Sequence, residues 1–248
     1  MKKFAKRCLP QPSNSCPFRE RGVMLGRVSV QPDKTKRLLL IDTCGETAGV
    51  ALSSGEQLLI SEDLPRGTAS AESISAVRRL LAQSGWTLQD LHAVGVVRGP
   101  GSFTGIRAGL AAAKGLCIAA DLPLVAVSRL EVLADAASLQ QGFAVLDAGR
   151  GEFYVREIGT GREWLSSTAG LHAACDRQQV VVAEEHVAER LAGCETILRP
   201  LHVGDALSTV LRRLDEGNND VALTDANYVR EPDDIYGRQA AKPIRVAP

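Results

Sequence analysis

Residues Arg98-Gly99-Pro100-Gly101-Ser102-Phe103-Thr104-Gly105 constrain the fold of this chain more than any other segment. They follow the apolar run Ala93-Val94-Gly95-Val96-Val97 and precede a stretch of small residues, Ile106 to Ala120. A strand, a glycine turn and a helix N-terminus therefore meet in one place. Gly99, Gly101 and Gly105 admit strained backbone angles, and Pro100 fixes one angle between them. Ser102 or Thr104 is placed to cap the helix by accepting from its free N–H groups. Two readings stay open. One is a tight strand-to-helix turn with no ligand. The other is a site for phosphate or carboxylate at the positive end of the helix dipole. The glycine spacing fits neither the P-loop nor the dinucleotide fingerprint.

The surrounding pattern is α/β. Leu38 to Ile41 reads as a buried strand ending at Asp42-Thr43-Cys44-Gly45. Thr47–Ser53 and Gln57–Asp63 read as two more strands, joined by the hairpin residues Ser54-Gly55-Glu56. A helix is expected over Ala69–Ser84, with Ile74, Val77, Leu80 and Leu81 at helical spacing and Gly85 ending it. A short capped turn at Thr87–Leu91, the strand Ala93–Val97, the glycine block with its helix, the strand Leu124–Val127 and a helix over Leu130–Ala137 follow. Three meandering strands, then helix–strand–helix–strand–helix, is the order of a ribonuclease H-like domain. From Gly142 the order repeats in part. Phe143-Ala144-Val145-Leu146-Asp147-Ala148-Gly149 echoes Leu39 to Gly45, and Glu152–Ile158 alternates like a second strand. Helical patterns follow at Glu184–Leu191 and Asp205–Leu214. The expected division is a basic extension over 1–36, an N-terminal lobe over 37–138, a shortened second lobe over 139–226 and an irregular tail over 227–248.

Composition narrows the class. The chain is 248 residues with 45% hydrophobic residues and no net charge. Residues 1–36 nevertheless carry nine Lys and Arg against two Asp and Glu, and the rest carries 20 against 27. The basic leader reads as a disordered extension, or an overlong start with Met24 as a later one; a basic arm touching RNA is the alternative. No run approaches the roughly 18 apolar residues of a membrane span, so no membrane partner is expected. The six cysteines form no CxxC pair, which argues against a zinc site or a disulfide framework and for reduced thiols in the cytoplasm.

Four segments carry a family resemblance: Leu40-Ile41-Asp42-Thr43, RGPGSFTGIRAGLAAAKGL over Arg98–Leu116, LDAGRGEFY over Leu146–Tyr154, and NYVR over Asn227–Arg230. In that order they resemble the bacterial TsaB family, also called YeaZ. The resemblance spans Arg37 to Arg230. It implies the two-lobed fold of the actin, sugar-kinase and Hsp70 superfamily with a truncated second lobe. It implies a non-catalytic scaffold role beside TsaD, the paralogue that transfers the threonylcarbamoyl group to the adenosine beside the tRNA anticodon. A TsaD-like catalytic subunit, a TsaE-like ATPase, a homodimer when alone, and tRNA reached indirectly are the implied partners. The paralogue binds a metal through His-x-x-x-His on a helix. Here the two places read Arg129 and Leu133, and neither side chain offers a lone pair to a cation. Many members also carry a histidine near the start of the first helix, whereas Pro65 to Ser70 has none.

Superfamily members bind ATP between the lobes, with aspartates where Asp42 and Asp147 stand. These two read either as Mg²⁺ positions or as turn residues bonding the following backbone. No tightly bound cofactor is expected; ATP and Mg²⁺ are expected only at a site shared with partners. The candidate nucleotide or partner edge is Asp42, Thr43, Arg98, Gly99, Gly101, Ser102, Thr104, Gly105, Arg107 and Asp147. The small residues of the two helices imply close helix approach, with Ile74, Val77, Ile106, Gly109 and Ala113 as interface candidates. The rival function is an ATP-dependent small-molecule kinase of the same superfamily. A metalloprotease-like hydrolase lacks its His-Glu-x-x-His run.

Overall fold

The computed structural model describes residues 35–229 except 66, 176, 177 and 223. The expected leader as far as Lys34 and the tail from Arg230 onward lie outside these residues. Strands β1 (Arg37–Asp42), β2 (Ala48–Ser54) and β3 (Gln57–Leu64) form an antiparallel meander. Strands β4 (Ala93–Val97) and β5 (Leu124–Val127) extend it in parallel beyond β1, giving the order β3-β2-β1-β4-β5. Central strands covered on both faces read as unbroken apolar runs. β1 and β4 are buried almost throughout, whereas the edge strand β3 is mostly open to solvent.

The second sheet repeats this topology strand for strand. β6 (Gly142–Gly149), β7 (Glu152–Ile158) and β8 (Glu163–Ser167) form the meander, and β9 (Gln179–Val182) and β10 (Glu195–Leu198) extend it in parallel beyond β6. The sequence pattern had indicated only β6 and β7. The truncation falls on the helices: α4 (Thr168–Ala174) has 7 residues and α5 (Glu185–Arg190) has 6, against 16 in α1 (Ala69–Ser84) and 18 in α2 (Phe103–Ala120).

Two helices cross between the sheets. α3 (Arg129–Ala136) follows the first sheet in the chain but packs on β6, β7 and β9. α6 (Ala206–Asp215) follows the second sheet but packs on β4 and β5 of the first. A boundary at 138/139 therefore does not separate the packing units. Gly95 makes the α6 seat: a Cβ there would lie 2.7 Å from a Val210 methyl and 2.9 Å from Leu40. Arg212 and Arg213 of α6 then reach the buried Glu131 carboxylate of α3 at 3.0 and 2.7 Å. α2 alone among the described helices has the length and hydropathy of a membrane span. Its apolar side, Ile106, Leu110, Ala113 and Cys117, is buried within the fold.

Candidate functional site

The glycine block seats one backbone against another. α2 starts at Phe103, three residues earlier than the expected Ile106, because Ser102 caps it, accepting from Gly105 N at 3.2 Å. Thr104 lies within the helix. Gly101, Gly105 and Gly109 recur one helical turn apart beneath the turn after β1. A Cβ at these positions would come within 2.3 Å of the Cys44 carbonyl, 2.0 Å of the Thr43 carbonyl and 2.3 Å of the Thr43 hydroxyl. The Thr43 hydroxyl donates to the Gly105 carbonyl at 2.6 Å, and Ser102 N–H donates to the Cys44 carbonyl at 2.9 Å. The Cys44 thiol donates to the Val97 carbonyl at 3.0 Å. Gly99, with φ at 101°, offers its carbonyl to Arg129 N–H at 2.7 Å. The glycines thus serve close approach and a tight turn.

A cleft of 420 Å³ lies beside this turn, lined by Thr43, Cys44, Gly101, Ser102, Thr104, Gly105, Arg129, Asp147, Glu184 and His186 among others. Of the expected edge residues it gathers Thr43, Gly101, Ser102, Thr104, Gly105 and Asp147. Asp42, Arg98, Gly99 and Arg107 are not in its wall. Asp42 is buried, and its Oδ1 accepts from Cys44 N–H at 2.8 Å, the turn geometry of an aspartate after a strand. Burial pushes its carboxyl above the usual range, and Arg129 partly offsets this. Arg98 and Arg107 instead hold the C-terminal segment. Arg98 donates to the Asp225 carbonyl at 3.4 Å, and Arg107 Nε donates to the Tyr228 hydroxyl at 3.0 Å while lying 3.9 Å above the Phe103 ring.

Arg129 is the residue whose role the sequence pattern did not reveal. Its side chain is 9% exposed and its guanidinium lies 3.2 Å from Glu184 Oε1, itself 11% exposed, so the pair is buried. Gly45 makes room: a Cβ there would meet the guanidinium nitrogen at 2.8 Å. Burial raises the Glu184 carboxyl, and Arg129 opposes that rise. Asp147 is held by Arg190 at 3.1 Å and lies 3.6 Å from His186.

These residues do not fit a metal ion or a magnesium nucleotide. Arg129 is a guanidinium already paired with Glu184, and Leu133 is wholly buried and offers no donor atom. Asp42 is turned into its own backbone and Asp147 faces a cation. Among the described residues no group of three or more His, Cys, Asp or Glu could hold an ion.

The interface candidates divide. Ile74 is 41% exposed. Val77, Ile106, Gly109 and Ala113 are buried within the chain itself, because α1 and α2 pack on each other and Gly109 abuts Thr43. The large apolar side chains that α2 does expose are Phe103, at 48%, and Ile118, at 75%. Helical spacing alone identifies an apolar face but not which structure covers it.

Comparison with known proteins agrees with this architecture. The model of the family described as TsaD, tRNA N6-adenosine threonylcarbamoyltransferase, matches residues 68–192, half of the chain. The tRNA threonylcarbamoyladenosine biosynthesis protein TsaB of Escherichia coli K12 is 37% identical over 125 residues, covering 49% of this chain and 54% of the relative. Its Bacillus subtilis namesake is 38% identical over 121 residues, covering 47% and 52%. The chain thus spans about half the length of the curated relatives it matches. The structure of YeaZ from Pseudomonas aeruginosa superposes with a TM-score of 0.66 at 25% identity, covering 78% of this chain and 99% of that one. The chain belongs to the family of the TsaD-type tRNA N6-adenosine threonylcarbamoyltransferases, within its TsaB (YeaZ) branch.

Proposed function

We propose that this chain is a non-catalytic subunit that supports a TsaD-like transferase in forming threonylcarbamoyladenosine beside the tRNA anticodon. The observation that carries this reading is the buried Arg129–Glu184 pair. In the cleft where the superfamily does its chemistry, this chain fills the first ligand place with a cation of its own and neutralises it internally. A subunit built this way acts by contact. The exposed Ile74, Phe103 and Ile118 supply apolar surface on α1 and α2 for the TsaD-like partner, and for self-association when that partner is missing. In this reading a TsaE-like ATPase and tRNA join the assembled complex, ATP and Mg²⁺ bind only where the subunits share a site, and the complex works in the cytoplasm. The names of the TsaB relatives, as biosynthesis proteins of the modified nucleoside, support the pathway.

The test is a reconstituted modification mixture with and without this chain, read as threonylcarbamoyladenosine per tRNA. The yield is expected to collapse on omission. Unchanged yield would refute the role, and modification by this chain with no companion would refute its non-catalytic character.

A further inference from the structure

The second sheet brings a histidine and two cysteines together away from the cleft. β9 and β10 are parallel neighbours in the register Gln179↔Glu195. Cys194 immediately precedes Glu195. Gln178, just before β9, donates its N–H to the Cys175 carbonyl at 3.1 Å. Both cysteines therefore enter adjacent strands at the same end, and both pack on one apolar cluster. His172 lies one turn before Cys175 on α4, on the same helix face. Its Nδ1 is 3.5 Å from Cys194 Sγ. The three differ in access: His172 is exposed, Cys194 is partly exposed and Cys175 is buried. Burial first, and the neighbouring Cys194 second, push the Cys175 thiol up to about 12. Cys175 thus stays protonated and shielded from solvent oxidant, while Cys194 meets solvent beside the His172 ring.

We propose that Cys194 and Cys175 form a peroxide-sensitive thiol pair, with His172 taking up the Cys194 proton. With the ring proton on Nε2, Nδ1 accepts from the Cys194 thiol. The sulfur attacks the nearer oxygen of a hydroperoxide and the O–O bond breaks. The leaving alkoxide or hydroxide takes the proton from the imidazolium and departs as an alcohol or water, leaving Cys194 as a sulfenic acid. The Cys175 sulfur then attacks Cys194, the S–O bond breaks, and the Cys175 proton leaves with the hydroxyl as water. Two thiols lose two electrons and the hydroperoxide gains them. The product ties the end of α4 to the start of β10.

The full reduced chain, treated with stoichiometric hydrogen peroxide, alkylated and peptide-mapped by mass spectrometry, tests this. The expected product is a Cys175–Cys194 disulfide, with Cys44 and Cys117 unmodified until the protein unfolds. In Cys175→Ser, Cys194 should be trapped by dimedone as a sulfenic acid. In His172→Ala, Cys194 oxidation should slow by about a hundredfold, the lower end of what a positioned proton acceptor contributes. His172 is exposed, so an unchanged melting temperature confirms that this variant reads chemistry and not folding. A Cys194 that stays reduced, that pairs with another cysteine, or that oxidises at the same rate in His172→Ala would overturn the proposal.

Discussion

Removing Arg129 isolates the physics of the cleft. The Arg129→Ala substitution leaves Glu184 as a buried carboxylate without its cation, since both side chains are about nine-tenths shielded and lie 3.2 Å apart. Breaking a buried pair from one side costs about 3–5 kcal/mol. For a chain of this size each kcal/mol lowers the melting temperature by roughly 2–4 °C, so a fall of about 6–20 °C is expected. Removing both charges with Arg129→Met and Glu184→Leu leaves no orphaned Glu184 carboxylate and should cost less than Arg129→Ala, the loss of Arg129 beside the buried Asp42 being what remains. The pH dependence has a definite sign. Burial holds the Glu184 carboxyl of the folded protein above the ordinary glutamate value of 4.5, and Arg129 is one of the influences holding it down. Without Arg129 it rises further, so the folded variant binds its proton more tightly than the unfolded chain does. The stability contributed by this one group is then fully present below pH 4.5 and is lost as pH rises through the folded-state value. Thermal and urea unfolding at pH 4 and pH 7 should therefore show a smaller penalty for Arg129→Ala at the lower pH. A cost under about 1 kcal/mol at pH 7, or additive single and double variants, would show that the pair is not buried as described.

Four further outcomes follow from the packing. Gly105→Ala places a Cβ 2.0 Å from the Thr43 carbonyl and should destabilise by more than the roughly 1–3 kcal/mol of ordinary overpacking. Gly115→Ala meets no atom within 4 Å and should stabilise α2 by about 0.5–1 kcal/mol in the same unfolding assay. Ile74→Lys should leave the melting temperature nearly unchanged while weakening the complex with a TsaD-like partner in size-exclusion chromatography; Val77→Lys, by contrast, should unfold the chain. Glu163 accepts from Ser128 at 2.6 Å, Arg156 at 2.8 Å and Asn227 at 2.6 Å, so Glu163→Ala should free the 224–229 segment and raise its hydrogen exchange.

Much of the fold was legible because its signals are local. α1, β4, β5 and β7 lie at the bounds that spacing predicts, and the Asp42-to-Gly45 echo at Asp147 correctly announced a repeat. The strands β8, β9 and β10 and the helix α4 escaped because they are short: the β8 sequence EWLSS mixes charge and hydroxyls on an edge, and α4 buries only Leu171. The crossing of α3 and α6 is invisible to periodicity, which states that a face is apolar but not which sheet receives it. The same limit explains Val77, Ile106, Gly109 and Ala113, whose small or apolar side chains serve the chain's own core. The cleft was half legible. That Arg129 and Leu133 offer a cation no lone pair could be read directly. What Arg129 does there could not, because Glu184 lies 55 residues away and no local pattern links them. One signal was available: Arg129 and Glu131 stand in a helix whose neighbours Leu130, Val132 and Leu133 are all apolar, and charges in such a setting need partners.

The central claim is that this chain contributes by docking and not by chemistry of its own. The most direct measurement is threonylcarbamoyladenosine formation by a TsaD-like partner with wild-type chain, with Ile74→Lys, and with the Arg129→Met/Glu184→Leu pair. The account predicts that activity falls with the surface variant in step with lost complex, and survives loss of the Arg129–Glu184 pair. Full activity with Ile74→Lys in the absence of a detectable complex, or activity abolished by the cleft variant while the complex stays intact, would contradict it.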